Sequence, residues 1–172
     1  YAGRRPNGIY IPRFRNLGDA ATKKDFTRGY GYQGGASRTG WQRLVGEMGF
    51  GKELKDEIEQ PGDWTMGITA FGEILPYRDN RVTLNNDVKD IHGLPTLTMD
   101  VTMRDNEMKM RKDMQSSAVE MLEAAGFKNV KGFDRTYAPG LGIHEMGTAR
   151  MGRDAKTSVL NAHNQVHACT NV

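Results

Sequence analysis

A single cysteine, Cys169, occurs in the 172 residues, so no internal disulfide can form and stability has to come from packing. Long apolar runs are also missing, and none approaches the roughly 18 residues that a membrane-spanning helix needs. No signal-peptide pattern, internal repeat or low-complexity tract is visible. Because the chain opens on Tyr1, we expect an internal piece of a longer protein, soluble, with the compartment (cytoplasmic or periplasmic) undetermined. Charge of one sign is scarce: 24 Lys and Arg oppose 21 Asp and Glu, a net charge of +3. With 37% hydrophobic residues and a mean hydropathy of -0.65, the chain is polar but long enough for a core.

The positive charge that is present crowds the front. Arg4, Arg5, Arg13, Arg15, Lys23, Lys24 and Arg28 are opposed there only by Asp19 and Asp25. These charges neither line up on a helix nor recur with aromatics as a stacking platform would, so no nucleic-acid partner is expected. Gly3, Pro6-Asn7-Gly8, Pro12 and Gly18 break any period over residues 1–40, leaving Ile9-Tyr10-Ile11 as a short strand between turns. Gly29-Tyr30-Gly31-Tyr32-Gln33-Gly34 formally spells Gly-x-Gly-x-x-Gly. As a dinucleotide fingerprint it fails, because that motif needs a buried strand before the first glycine and a helix opening after it, whereas Lys23, Lys24, Asp25 and Arg28 precede it. Two readings stay open: a glycine-rich structural turn, which is favoured, or a loop whose Tyr32 and Gln33 contact a polyhydroxylated substrate.

Further on, Trp41 to Ile58 suits a short helix interrupted by Gly49 or Gly51, and Gln60-Pro61-Gly62-Asp63 breaks the chain. Trp64, Met66, Ile68 and Ala70 then alternate with Thr65, Gly67, Thr69 and Phe71, the pattern of a strand with one buried face. Arg78-Asp79-Asn80 before Arg81-Val82-Thr83-Leu84 suggests a hairpin with it, and Leu97 to Met103 gives a third strand of one antiparallel sheet. Asn106 to Ala125 predicts a helix capped by Asp105 or Asn106, with a stripe of Met110, Met114, Ala118, Met121, Leu122 and Ala125, stopped by Gly126. A helix on an antiparallel sheet is an α+β fold.

Chemistry concentrates in His144-Glu145-Met146-Gly147-Thr148-Ala149-Arg150-Met151-Gly152. Glycines at this density let a backbone turn tightly and approach something closely. His144 is the residue there suited to accept a proton near neutral pH, although a surface histidine in a glycine-rich turn would look the same. Arg150 reads either as an anchor of the loop or as a charge partner of a cofactor. His163, His167 and Cys169 suggest a metal only weakly, since the intervening residues make a poor helix and no further ligand cluster is visible; no metal is expected. Ser158, His144 and Asp154 can be written as a hydrolase triad, but no Gly-x-Ser-x-Gly elbow presents the serine. His92 sits in a polar turn.

His-x-x-Gly-Thr-x-Arg-Met-Gly, followed by Asp154, Ser158-Val159-Leu160-Asn161 and Gln165-Val166-His167, resembles the C-terminal region of the glucose-methanol-choline (GMC) flavin oxidoreductases. Asn161 and Ala168 depart from the Asp and Gly common in that family, which puts the flavin-side contacts at those positions outside the pattern. The resemblance implies FAD, bound mainly by a Rossmann domain that these 172 residues do not contain, and oxidation of a CH–OH group. By the same resemblance His144 takes the hydroxyl proton, Gly147 and Thr148 lie near the flavin, and a second His or Asn lies beyond Val172. The form of the motif looks most like members acting on sugars, sugar acids or glycosides. The electron acceptor has no visible signal. On this reading residues 1–62 dock on the FAD domain, 63–143 form the sheet and helix of the substrate-binding domain, and 144–172 carry the catalytic loop. The isolated chain is then expected to be inactive; the rival is a non-catalytic α+β binding module sharing the fold.

Overall fold

A computed structural model describes residues 8–18, 20–38, 51–59, 62–144, 146–169 and 171–172. Tertiary contacts divide the chain into two units, one of residues 1–75 and 103–135, the other of 76–102 and 136–172.

The first unit holds the core. Strands β1 (Ile9–Ile11), β2 (Tyr30–Arg38) and β3 (Trp64–Gly72) pair antiparallel in that order, with Ile11 opposite Tyr32 and Tyr32 opposite Ala70. The glycine-rich stretch expected as a turn is therefore the middle of the sheet. Its alternation of Tyr30 and Tyr32 was hidden by glycines that serve neighbouring backbones. A Cβ on Gly31 would stand 2.7 Å from the Ile11 carbonyl oxygen, and one on Gly34 would overlap that of Gly67. No helix opens at Gly34, since the strand runs on to Arg38. Helix α1 (Gly51–Glu59) follows; the expected helix over Trp41 to Ile58 falls for residues 41–50 outside the described residues.

Helix α2 (Asp105–Ala124) covers the Tyr30/Tyr32 face. Phe26, Tyr30, Tyr32 and Met110 form the buried centre, with Ile11, Phe14, Ile68, Ala70, Met114, Ala118 and Met121 packed around it. Tyr30 and Tyr32 are each 1% exposed and meet edge to face, centroids 5.6 Å apart. Their hydroxyls reach polar partners on α2: Tyr32 donates to the Met114 carbonyl at 2.8 Å, and Tyr30 donates to the Asp113 carboxylate. Asp113 also takes Arg15 Nε and Lys24 Nζ, both at 2.9 Å, while Arg15 reaches Ser117 at 2.8 Å. Burial pushes the Asp113 carboxyl up, but the bonds from Tyr30, Lys24 and Arg15 outweigh it and hold the group below the usual carboxylate range. Tyr30 is raised by burial and by the bond to Asp113, and Tyr32 by burial.

The cap of α2 is Arg104 rather than Asp105 or Asn106. Buried Glu107 explains the shift, since its carboxylate accepts the Arg104 N–H at 2.9 Å and, across the core edge, the Leu75 N–H at 3.1 Å. At the other end Gly126, φ +88°, donates to Glu123 O and Phe127 to Leu122 O, closing the helix as the glycine predicts.

In the second unit β4 (Arg81–Lys89) pairs antiparallel with β5 (Pro95–Asp100), turning at Asp90, whose carboxylate takes the His92 and Leu94 N–H groups at 2.9 Å. The expected β3–β4 hairpin and single sheet do not form: β3 pairs with β2 on one edge, and β4 pairs with β5 in a separate two-stranded sheet. Periodicity names a strand without naming its partner. All buried side chains among the described residues belong to the first unit. The chain is α+β, and no described helix is long and apolar enough to cross a membrane.

Candidate active site

The motif read from the sequence separates into two halves. From Arg150 onward it is a knot of short-range bonds. Arg150 Nε donates to Thr157 O at 2.9 Å, and Arg150 O accepts the N–H groups of Val159 and Leu160 at 3.1 Å. Arg150 is thus an anchor of the loop. Gly152 donates to Leu160 O at 2.8 Å, and a Cβ on Gly152 would meet Ser158 Cβ at 2.7 Å, so the glycine permits the crossing. Asn161 holds the next turn: its Oδ1 accepts the N–H groups of His163 and Gln165 at 2.8 and 3.1 Å, which an Asp carboxylate could also do.

His167 closes the knot, a role no sequence pattern advertised. Its Nε2 lies 3.2 Å from Gly152 O and 3.1 Å from Ser158 Oγ. A carbonyl can only accept, so Nε2 carries the hydrogen, a tautomer assigned from the network. Ser158 in turn gives its proton to the Asp154 backbone carbonyl at 2.8 Å. Neither a free lone pair on His167 nor the Asp154 carboxylate is positioned to activate Ser158, and His144 does not touch it. The hydrolase triad rejected on sequence grounds is not assembled. Among the described residues no group of three or more His, Cys, Asp or Glu gathers as a metal site. His163 is exposed, and Cys169 bonds Asn171 at 2.9 Å.

Before Arg150 the loop is open. His144 is exposed and bonds no other described residue. Met146 beside it is 89% exposed. Gly147 has φ +107° and nothing within 4 Å of a would-be Cβ, so it makes a left-handed turn with clear space before it; Thr148 follows, also exposed. An exposed histidine before a glycine turn, bonded to no other described residue and mounted on a tightly bonded base, is suited to a proton transfer with a group that arrives from outside.

Of the two front-segment candidates, Tyr32 lies in the core, its hydroxyl committed to Met114, and Gln33 points to the opposite, solvent face of β2. Adjacent strand residues face opposite ways, so the pair cannot line one pocket.

Comparison with known proteins matches residues 76–172, the segment that contains this loop, to GMC oxidoreductase. The chain belongs to that family. It is 29% identical over 149 residues to 2-methyl-1,2-propanediol dehydrogenase of Mycolicibacterium austroafricanum, covering 84% of this chain and 27% of that protein. It is 28% identical over 135 residues to the gluconate 2-dehydrogenase flavoprotein of Pantoea cypripedii, covering 74% and 22%. With the fructose dehydrogenase large subunit of Gluconobacter japonicus it shares 27% over 164 residues, covering 94% and 29%. The chain thus spans between a fifth and a third of the length of these GMC relatives.

Proposed function

We propose that this chain is part of an FAD-dependent oxidoreductase that oxidises a CH–OH group of a sugar, sugar acid or glycoside. His144, exposed and bonded to no other described residue on its anchored loop inside the GMC-matched segment, carries the reading. Nε2 or Nδ1 of His144 accepts the substrate hydroxyl proton, which makes loss of hydride from the same carbon far easier than from a neutral alcohol. Bound FAD supplies the hydride acceptor. Gly147 and Thr148 fit a close approach to a flat ring, since the glycine leaves open space where a side chain would stand. The Gly29–Gly34 stretch leads into and forms β2 rather than a strand-turn-helix, and so supplies no pyrophosphate cradle. On this reading the FAD-binding domain and a second catalytic His or Asn lie elsewhere in the protein, and the isolated chain does not turn over. Gln33, with its amide in solvent, is the candidate contact for a hydroxyl-rich ligand. The second unit, which buries no side chain among its described residues, favours this reading over a self-sufficient binding module.

Flavin absorbance of the full-length protein, followed without oxygen while gluconate, fructose and simple glycosides are added, tests the proposal. Bleaching by one of them, slowed roughly 10²–10⁴-fold in His144→Ala with flavin retained, is expected. Absence of flavin would sink the enzyme; equal bleaching in both proteins would remove His144 from its role.

A further inference from the structure

The basic front segment, which no part of the proposed reaction uses, does not stay dispersed. Arg13, Lys23, Lys24 and Arg28 line one open cleft in the first unit, about 850 Å³ in volume, together with Asn16 and Phe26. We propose that this cleft is a binding site for a small polyanion bearing carboxylate or phosphate groups.

Its frame is built, not incidental. Asn16 and Arg28 both hold left-handed backbone, φ +53° and +71°, a conformation that costs a non-glycine residue and persists only where surroundings enforce it. The enforcement is visible. Asn16 Nδ2 donates to the carbonyls of Phe26 and Arg28 at 2.8 and 2.7 Å, and its Oδ1 accepts the Lys24 N–H at 2.8 Å. Arg13 braces the same turn through Arg15 O at 3.0 Å and Asn16 O at 2.7 Å.

Among the described residues the charge is only partly balanced. Lys24 pairs with Asp113 at 2.9 Å and Arg28 with Glu73 at 3.5 Å, but Arg13 and Lys23 meet no carboxylate among the described residues. The nearby Asp25 carboxylate is engaged by Lys109 at 3.3 Å. No described acidic residue lines the cleft. Like charges gathered this way repel one another and concentrate positive potential in the concavity, which an incoming anion relieves. The guanidinium donors that Arg13 and Arg28 do not spend on Arg15 O, Asn16 O and Glu73, together with the Lys23 ammonium, suit carboxylates and phosphates alike, and the volume suits a small molecule.

Calorimetric titration of the full-length protein with citrate and, separately, inorganic phosphate, at low ionic strength and matched against sodium chloride, tests the site. One of the two binds at a single site, citrate if the ligand is a carboxylate and phosphate if it is a phosphate. Lys23→Glu and Arg28→Gln each weaken it tenfold or more while melting, without anion, at the wild-type temperature. Failure of both anions to bind at about 1 mM, or binding that Lys23→Glu leaves unchanged or that chloride reproduces, overturns the proposal. Should Arg28→Gln misfold, Lys23→Glu alone, on an exposed side chain, decides.

Discussion

Replacing Asp113 by Asn removes one negative charge from between two cations and a phenol. Asp113 accepts from Arg15, Lys24 and Tyr30, and its side chain is 15% exposed against 21% for Arg15 and 34% for Lys24. Hydrogen bonds to charged groups are worth about 1.5–3 kcal/mol each, but water reaches both cations, and Asn keeps one acceptor oxygen. Discounting the more exposed Lys24 bond most heavily leaves a loss of about 2 kcal/mol, close to a 30-fold change in the opening equilibrium. Amide exchange of peptides from β2 and α2 in the full-length protein should therefore quicken about 30-fold in Asp113→Asn, with exchange around Arg150 to Leu160 unaltered. The pH dependence has a definite sign. The folded Asp113 carboxyl is lowered, so its contribution is complete above the unfolded value, 3.8, and is lost as pH falls through the lower folded value. Tyr30, raised above 10.0, contributes below 10.0 and loses that contribution as pH climbs through its folded value. The wild-type advantage should hold across neutral pH and shrink at both extremes. Exchange in β2 and α2 within twofold of wild type at pH 7 would refute the idea that the network stabilises the core.

Two further outcomes follow from single positions. Gly34→Ala drives a Cβ into the backbone of β3 and should cost about 1–3 kcal/mol, seen as a lower melting temperature, whereas Gly67→Ala, with open space at its Cβ position, should melt near wild type. His167→Ala removes the donor shared by Gly152 and Ser158, so amide exchange at Gly152, Val159 and Leu160 should rise about tenfold, while His144→Ala leaves those amides as they were.

The legible parts of the fold are those whose signal is local. β3 announced itself by alternation over Trp64 to Phe71, and α2 by its methionine stripe and Gly126, because each pattern fits within one element. β2 was misread since three of its nine positions are glycines, two of which let Ile11 and Gly67 come close, a fact that lives on other strands. The Asp113 network joins residues 98 positions apart through Arg15, so no window of sequence contains it. At the candidate site the order of residue types around His144 identified the loop. The difference between its open half and its knotted half did not register, because it depends on which backbone carbonyl His167 happens to meet. The basic residues looked scattered for the same reason: they converge only once Asn16 has bent the chain back on itself.

The first unit is not continuous in the chain: it is interrupted at Pro76 and resumed at Met103. During synthesis Phe26, Tyr30 and Tyr32 therefore emerge long before Met110, Met114 and Met121, which cover them. Over that interval the sheet carries a bare aromatic face and a carboxylate-less pair of cations, Arg15 and Lys24, with no Asp113 to meet. Such a nascent chain is stickier than the folded unit, and a ribosome that stalls between Pro76 and Met103 releases a product that chaperones or proteases must handle.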